Sequence, residues 1–328
     1  MTASGTPVVS PEPMQVRRRA VSADPPSRAE RATRIILPVW FGLSSLWVLS
    51  PQIFFGKSLG WDAVAYTGAA RTLLSGGDPW ASTSPSISYA APPPSLIPYL
   101  PFSGLPDAIV APVWVLIAGI SAVYAIRRLG LPAWWLLFPP IAHGIATGGT
   151  ALPVLALLVH GGVVAEAAAV TLRVYAAVPL LILARWRSLG LALMAIAVTG
   201  PFLAWPSFLG GLGRISGMLG LQSGGGGSSV AAIPLLVPVA VVALALLGRR
   251  RAAWLLVPVL WPNTQLYYAV IALPALASTP FIAIGLAVPG VPLAVALGVV
   301  SQAVYERLAE RVGWPASSIA GARASTEP

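Results

Sequence analysis

Residues 60–106 read GWDAVAYTGAARTLLSGGDPWASTSPSISYAAPPPSLIPYLPFSGLP, shortly after a membrane-length apolar run at 35–55, IILPVWFGLSSLWVLSPQIFF. A second apolar run, 107–126, follows at once. A long apolar segment, a loop rich in Pro and Gly, and a further apolar segment form the pattern of a chain that crosses a bilayer, turns outside it and returns. The loop also holds two of the few acids in the body of the protein. Between Arg34 and Tyr305 the only carboxylates are Asp62, Asp78, Asp107 and Glu166. Acids are costly in or beside a membrane, so those that remain need a reason.

Working outward, the 328-residue chain is 56% hydrophobic and 9% charged, with a mean hydropathy of +0.80. Soluble domains carry about 25% charged residues. This composition excludes an ordinary soluble fold. It predicts an all-α, polytopic transmembrane helical bundle, because a helix satisfies its own backbone polar groups inside lipid. There is no cysteine, which excludes a disulfide framework, a thiolate nucleophile and a zinc–thiolate site. His143 and His160 are too few for most histidine-built metal sites. No cofactor is expected, and a divalent metal is left open.

The net charge of +10 is not a nucleic-acid signature. The basic residues come in clusters that abut apolar segments: Arg17–Arg19 with Arg28, Arg31 and Arg34; Arg127 and Arg128; Arg185 and Arg187; Arg249–Arg251. That is the positive-inside pattern of a multi-pass protein of the cytoplasmic membrane with a cytoplasmic N-terminus. Residues 1–33, rich in Pro, Ser and Arg, read as a disordered basic cytoplasmic tail without a cleaved signal peptide. Residues 34–304 read as the transmembrane domain and 305–328 as a C-terminal tail.

The expected crossings number roughly nine to eleven, counting short or broken helices. The first large extracytoplasmic loop is 56–106, with turns and short helical pieces. Residues 164–185 look like one helix, but a single crossing would put Arg185 and Arg187 outside. Two short helices, 164–172 and 176–184, broken at Arg173, remove that conflict. Residues 207–228 read as a flexible outer loop because of their glycines. Residues 266–277 descend after a WPNTQ turn near the outer face. Residues 279–303 form one span or two, broken at Val288-Pro289-Gly290. No internal repeat is visible, which argues against an inverted-repeat transporter.

At 61–106 the chain resembles the family 87 polyprenyl-phosphate-sugar-dependent glycosyltransferases, GT-C-type membrane enzymes of actinobacteria that include mannosyl- and arabinofuranosyltransferases of cell-envelope glycans. The matching pattern is Asp62 and Tyr66, the small-residue run Ala69–Gly77, Asp78-Pro79-Trp80, Tyr89, Pro92-Pro93, and the LIPYLPFSGLP tract. Weaker echoes follow in order: Gly148-Gly149-Thr150 where the family has a Gly-Gln-Asn-type turn, Arg173-Val174-Tyr175 where lysine is usual, and Trp261–Tyr268 where the family has a Trp and a His-rich turn. The turn lacks the Gln-Asn pair, and the late histidines are absent here.

The resemblance implies transfer of mannose or arabinofuranose from a polyprenyl phosphate donor to an envelope glycan or glycolipid acceptor. The partners would be those two substrates and membrane lipid, with no nucleic acid. Transfer would be inverting, in a site facing outside. Asp62 would be the catalytic base, one helical turn before Tyr66; its alternative is a helix N-cap. The substrate-binding set is Lys57, Tyr66, Arg71, Asp78, Tyr89, Arg173, Gln265 and Tyr268. Arg173 is a charge in an apolar tract and suits a phosphate, which guanidinium can grip with two N–H groups; snorkelling is its alternative. Lys57 and Arg71 flank Asp62 and could add to an anion site or be solvated. Asp78 precedes a proline and also reads as a turn initiator.

Asp107 reads as the cap of the second span, and Glu166 and His160 as turn residues. His143 reads as a satisfied buried histidine. Trp61, Trp80, Trp205, Trp261, Tyr267 and Tyr268 read mainly as interface aromatics, with walling of a sugar site as the alternative for Trp261–Tyr268. A non-catalytic relative that binds lipid-linked sugar, or scaffolds an envelope enzyme complex, is the alternative function.

Overall fold

The computed structural model describes residues 28–55, 59–81, 89–222, 228–262 and 264–312, and every regular element among them is helical. The first helix, α1 (Arg28–Phe55), starts inside the segment expected to be tail, because RAERATR is rich in strong helix formers. The expected loop then contributes α2 (Trp61–Leu74) and a 3-10 stretch, Pro93–Phe102. Pro98 and Pro101 within that stretch deny it continuous α-type hydrogen bonds. Next come α3 (Asp107–Arg128), a 3-10 turn at Ala133–Leu137, and α4 (Pro139–Thr147). The chain bends by 117° into α5 (Ala151–His160). Gly148 makes that bend possible, with φ at 65° in the left-handed region that favours glycine.

The expected break at Arg173 is present. Helix α6 (Val163–Leu172) ends there, Arg173 is extended, and a 3-10 turn at Val174–Ala176 leads into α7 (Ala177–Ile182). Then come α8 (Trp186–Thr199), α9 (Trp205–Gly210) and α10 (Leu212–Gln222). The last two correct the flexible loop expected at 207–228 as far as residue 222; residues 223–227 lie outside the described residues. Within α10, Ile215 and Met218 are buried and Leu219 packs on the same core, so an apolar face outweighs the glycines.

Helix α11 (Val237–Leu246), α12 (Arg249–Leu260), a 3-10 stretch at Leu266–Ala272, α13 (Leu273–Leu276), α14 (Pro280–Leu286) and α15 (Pro292–Val312) complete the order. Residues 279–303 are thus two helices, parted around the Pro289-Gly290 turn. The last helix runs past the expected end of the domain at 304.

Two cores form. The larger joins α1, α3 to α8 and α11 to α15 around Phe41, Phe138, Leu155, Leu255 and Ile271. The smaller joins α2, the Pro93–Phe102 stretch, the start of α3 and α10 around Tyr66, Trp80, Tyr99, Trp114 and Ile215. Among the described residues, α3 alone is long and apolar enough to cross a bilayer by itself; α4 and α5 meet the same test only as a bent pair. Large apolar side chains stand exposed on several helices, including Leu43, Leu46 and Trp47 on α1, Leu193 and Val198 on α8, and Leu293 and Leu297 on α15.

Candidate active site

The site forms where the two cores meet. Helix α2 opens at Gly60, whose φ of 76° reverses the chain, and the Gly60 N–H donates to the carbonyl of Ala146 at 2.8 Å. This bond ties the start of α2 to the last turn of α4. A β-carbon at Gly60 would lie 2.6 Å from the Ala111 β-carbon, so only glycine lets α2 come this close to α3. The same contact brings the Gly148-Gly149-Thr150 bend onto the first turn of α2, where Asp62 sits.

Asp62 is half-buried with its Oδ2 enclosed; the hydroxyls of Thr147 and Tyr267 lie beside it, and the Arg173 guanidinium is near enough to act on its charge. Its Oδ2 accepts no hydrogen bond. The residue lies on α2, between the first two long apolar helices. There burial pushes its carboxyl up to about 6, while Arg173 and the two hydroxyls pull the other way. The cap alternative does not hold. Gly60 occupies the cap position, and Asp62 makes no capping bond.

Arg173 reaches the same space from the break between α6 and α7. It is 5% exposed, so it does not snorkel to a surface. Its Nε donates to Thr150 Oγ1 at 2.7 Å, while Nη2 has no partner. The guanidinium carbon lies 5.2 Å from the Tyr66 ring centre and 5.9 Å from that of Tyr268, both within cation–π range. Tyr66 packs edge-on against Tyr89 and beside Tyr99, and Tyr99 stacks on Trp114 at 4.0 Å. Tyr268 packs on Tyr175 and Tyr267. The hydroxyls of Tyr99 and Tyr175 are buried without partners. An acid with an enclosed carboxylate oxygen, a buried cation and several aromatic hydroxyls, with unspent hydrogen-bonding capacity among them, make a site that could take a polar, anionic ligand.

The expected site residues separate. Asp62, Tyr66, Arg173 and Tyr268 come together. Tyr89 stands behind Tyr66, its hydroxyl engaged with Ser95 and the Pro92 carbonyl. Gln265 is half-buried at the start of the Leu266–Ala272 stretch, where its carbonyl accepts from Tyr268 N–H. Arg71 points elsewhere: it donates to the Ser103 and Leu105 carbonyls and pairs with Asp107 at 2.8 Å. Asp78 closes a turn by accepting the Trp80 N–H at 2.9 Å. Lys57 lies outside the described residues.

Asp107 is the first residue of α3 rather than its cap, which is Pro106. Glu166 is buried, accepts from Ser188 Oγ and lies 4.0 Å from Arg185, joining α6 to α8. His160 Nδ1 meets the Tyr124 hydroxyl at 2.7 Å. Trp80, Tyr267 and Tyr268 are buried, which corrects their reading as interface aromatics. They fill space that the folded loop and the late 3-10 stretch enclose.

Sequence reasoning missed Thr147, and it quoted Thr150, Tyr175 and Tyr99 within motifs without assigning them to this wall. It also expected a satisfied His143. In the structure the ring stacks on Tyr267 at 5.7 Å and meets Trp61 edge-on, and its Nδ1 has no partner. Among the described residues no three His, Cys, Asp or Glu side chains converge as a metal-binding group. No family model matches the chain, and neither a curated protein nor a solved structure matches it.

Proposed function

We propose that this chain is a polytopic glycosyltransferase of the cytoplasmic membrane, GT-C-like. It moves mannose or arabinofuranose from a polyprenyl phosphate to an envelope glycan or glycolipid on the outer face. The observation that carries the reading is the pairing of Asp62 and Arg173. They are an acid with an enclosed carboxylate oxygen and a buried cation in one tyrosine-walled site, each ending in an atom with no partner. The resemblance of residues 61–106 to family 87 supplies the substrate class.

The membrane reading draws on the exposed apolar faces of α1, α3, α8, α11 and α15. Soluble monomers rarely leave contiguous apolar patches beyond a few hundred Å². The arginine pairs and triplet at 127–128, 185–187 and 249–251 fit cytoplasmic ends.

In this reading an acceptor hydroxyl attacks the anomeric carbon of the donor sugar and its proton passes to Asp62 Oδ2. The bond from that carbon to the phosphate oxygen breaks, and the electron pair leaves with the polyprenyl phosphate. Arg173 Nη2 meets the charge that develops there. One direct displacement inverts the sugar carbon. Tyr66 and Tyr268 hold the guanidinium between their rings. Arg173 and Thr150 form one unit, so the cation's direction is set before substrate arrives.

A second reading is a lipid-sugar-binding relative without turnover. The absence of histidine from the Trp261–Tyr268 turn favours it. Membranes carrying the chain, given radiolabelled polyprenyl-phosphate mannose or arabinose and a mixed envelope-glycan acceptor fraction, separate the two. Label in the glycan above control membranes supports the enzyme. Retention of donor lipid by the purified protein without transfer supports the binding protein.

A further inference from the structure

We infer that one face of α3 is a binding site for the phosphate-bearing headgroup of an anionic membrane phospholipid. The inference rests on the proposed reading of α3 as a membrane span. Ile120, Val123, Tyr124, Arg127 and Arg128 line a cavity of about 440 Å³. Their spacing places all five on one stripe of the helix. The stripe is ordered along the axis: two aliphatic side chains, then a phenol, then two guanidinium groups in the last turn. That order matches an acyl chain, an interfacial region and a headgroup.

The two arginines are the decisive feature. Arg71, Arg173, Arg185, Arg249, Arg251 and Arg307 each bond to a carboxylate, a hydroxyl or a carbonyl. Arg127 and Arg128, like Arg187, Arg214, Arg250 and Arg311, make no side-chain hydrogen bond or ion pair among the described residues, but these two adjoin at one groove, both exposed beside Ile120, itself 60% exposed. Two unspent guanidinium groups at one cavity suit a phosphodiester, which accepts two N–H groups from each. The Tyr124 hydroxyl is held by His160 Nδ1 at 2.7 Å, which fixes the wall between the apolar and charged ends. Losing both arginines removes these charge-assisted bonds, with an expected loss of roughly tenfold or more in lipid affinity.

The test uses the full chain, extracted from membranes in mild detergent and offered phosphatidylglycerol and phosphatidylcholine with identical acyl chains, with bound lipid counted by native mass spectrometry. The double variant Arg127→Gln/Arg128→Gln removes both charges. Arg250→Gln, an exposed arginine on α12 away from this cavity, is the control. The proposal expects the parent and Arg250→Gln to retain phosphatidylglycerol over phosphatidylcholine, with retention weakened roughly tenfold or more in the double variant. Equal retention by parent and double variant overturns it, as does an equal loss in Arg250→Gln, which would mean diffuse charge attraction. A chain released from membranes by carbonate washing overturns both this site and the membrane reading. A chain that stays in the membrane without lipid preference overturns this site alone.

Discussion

Gly149 lies so close to Asp62 that a β-carbon at position 149 would stand 2.6 Å from the carboxylate Oδ2. A side chain at 149 must therefore push the carboxylate aside. Gly149→Ala is expected to lower sugar transfer about 100-fold, since small misplacements of a reacting group are that costly. Gly68→Ala, on α2 with nothing within 4 Å of its new carbon, should leave transfer unchanged and stabilise the helix by up to about 1 kcal/mol. Parallel transfer assays and thermal unfolding check both.

Asp62 gives transfer a defined pH dependence. With its carboxyl raised to about 6 by burial, the rate should fall about tenfold per pH unit below 6 and level off above it. Stability runs the other way. The group's ordinary value is 3.8, so its contribution is fully present below that pH and is lost as pH rises through 6. Asp62→Asn removes the titration. Above pH 6 it should be the more stable protein, by up to roughly 3 kcal/mol, and its stability should vary less between pH 4 and 7. Unfolding at a series of pH values reads this directly.

Arg173 bonds Thr150 through Nε, while its Nη2 has no partner. Arg173→Lys keeps the charge but cannot place N–H groups at both positions. Donor KM is expected to rise about tenfold or more. Thr150→Val loses only one hydroxyl contact, and its effect should be smaller, near fivefold. Donor titrations on both variants make the comparison.

The helical content and the break at Arg173 were legible because they follow from apolar runs and from charges that must lie on a permitted side. Asp62, Tyr66, Arg173 and Tyr268 were expected in one place through their types and order, and they lie together. Their companions were not expected there. Thr147 and Thr150 sit at a bend that Gly148-Gly149-Thr150 marked only as a turn; its approach to Asp62 comes from Gly60 and Gly148 packing against distant helices. Arg71 reads as a loop cation until Asp107 and the Ser103 and Leu105 carbonyls come within reach through folding. The glycines of 207–222 suggest flexibility locally, but Ile215 finds a core supplied from more than a hundred residues upstream.

That last contact is testable. Ile215 is 5% exposed and shares a core with Trp80 and Tyr99. Ile215→Ala should destabilise the protein by about 3 kcal/mol, the usual cost of such a cavity. It should also speed amide exchange across Leu212–Gln222, measured by mass spectrometry. Slow exchange there in the parent would agree with a helix; fully unprotected amides would restore the loop.

The most direct test of the account is sugar transfer in membranes containing the parent chain or Asp62→Asn, matched for expression, with radiolabelled polyprenyl-phosphate sugars and envelope-glycan acceptor. The account predicts transfer by the parent and a loss of at least 100-fold in Asp62→Asn, with donor binding retained. Transfer that survives the substitution would contradict Asp62 as the base. No transfer by a folded parent that still binds the lipid would contradict the enzyme itself.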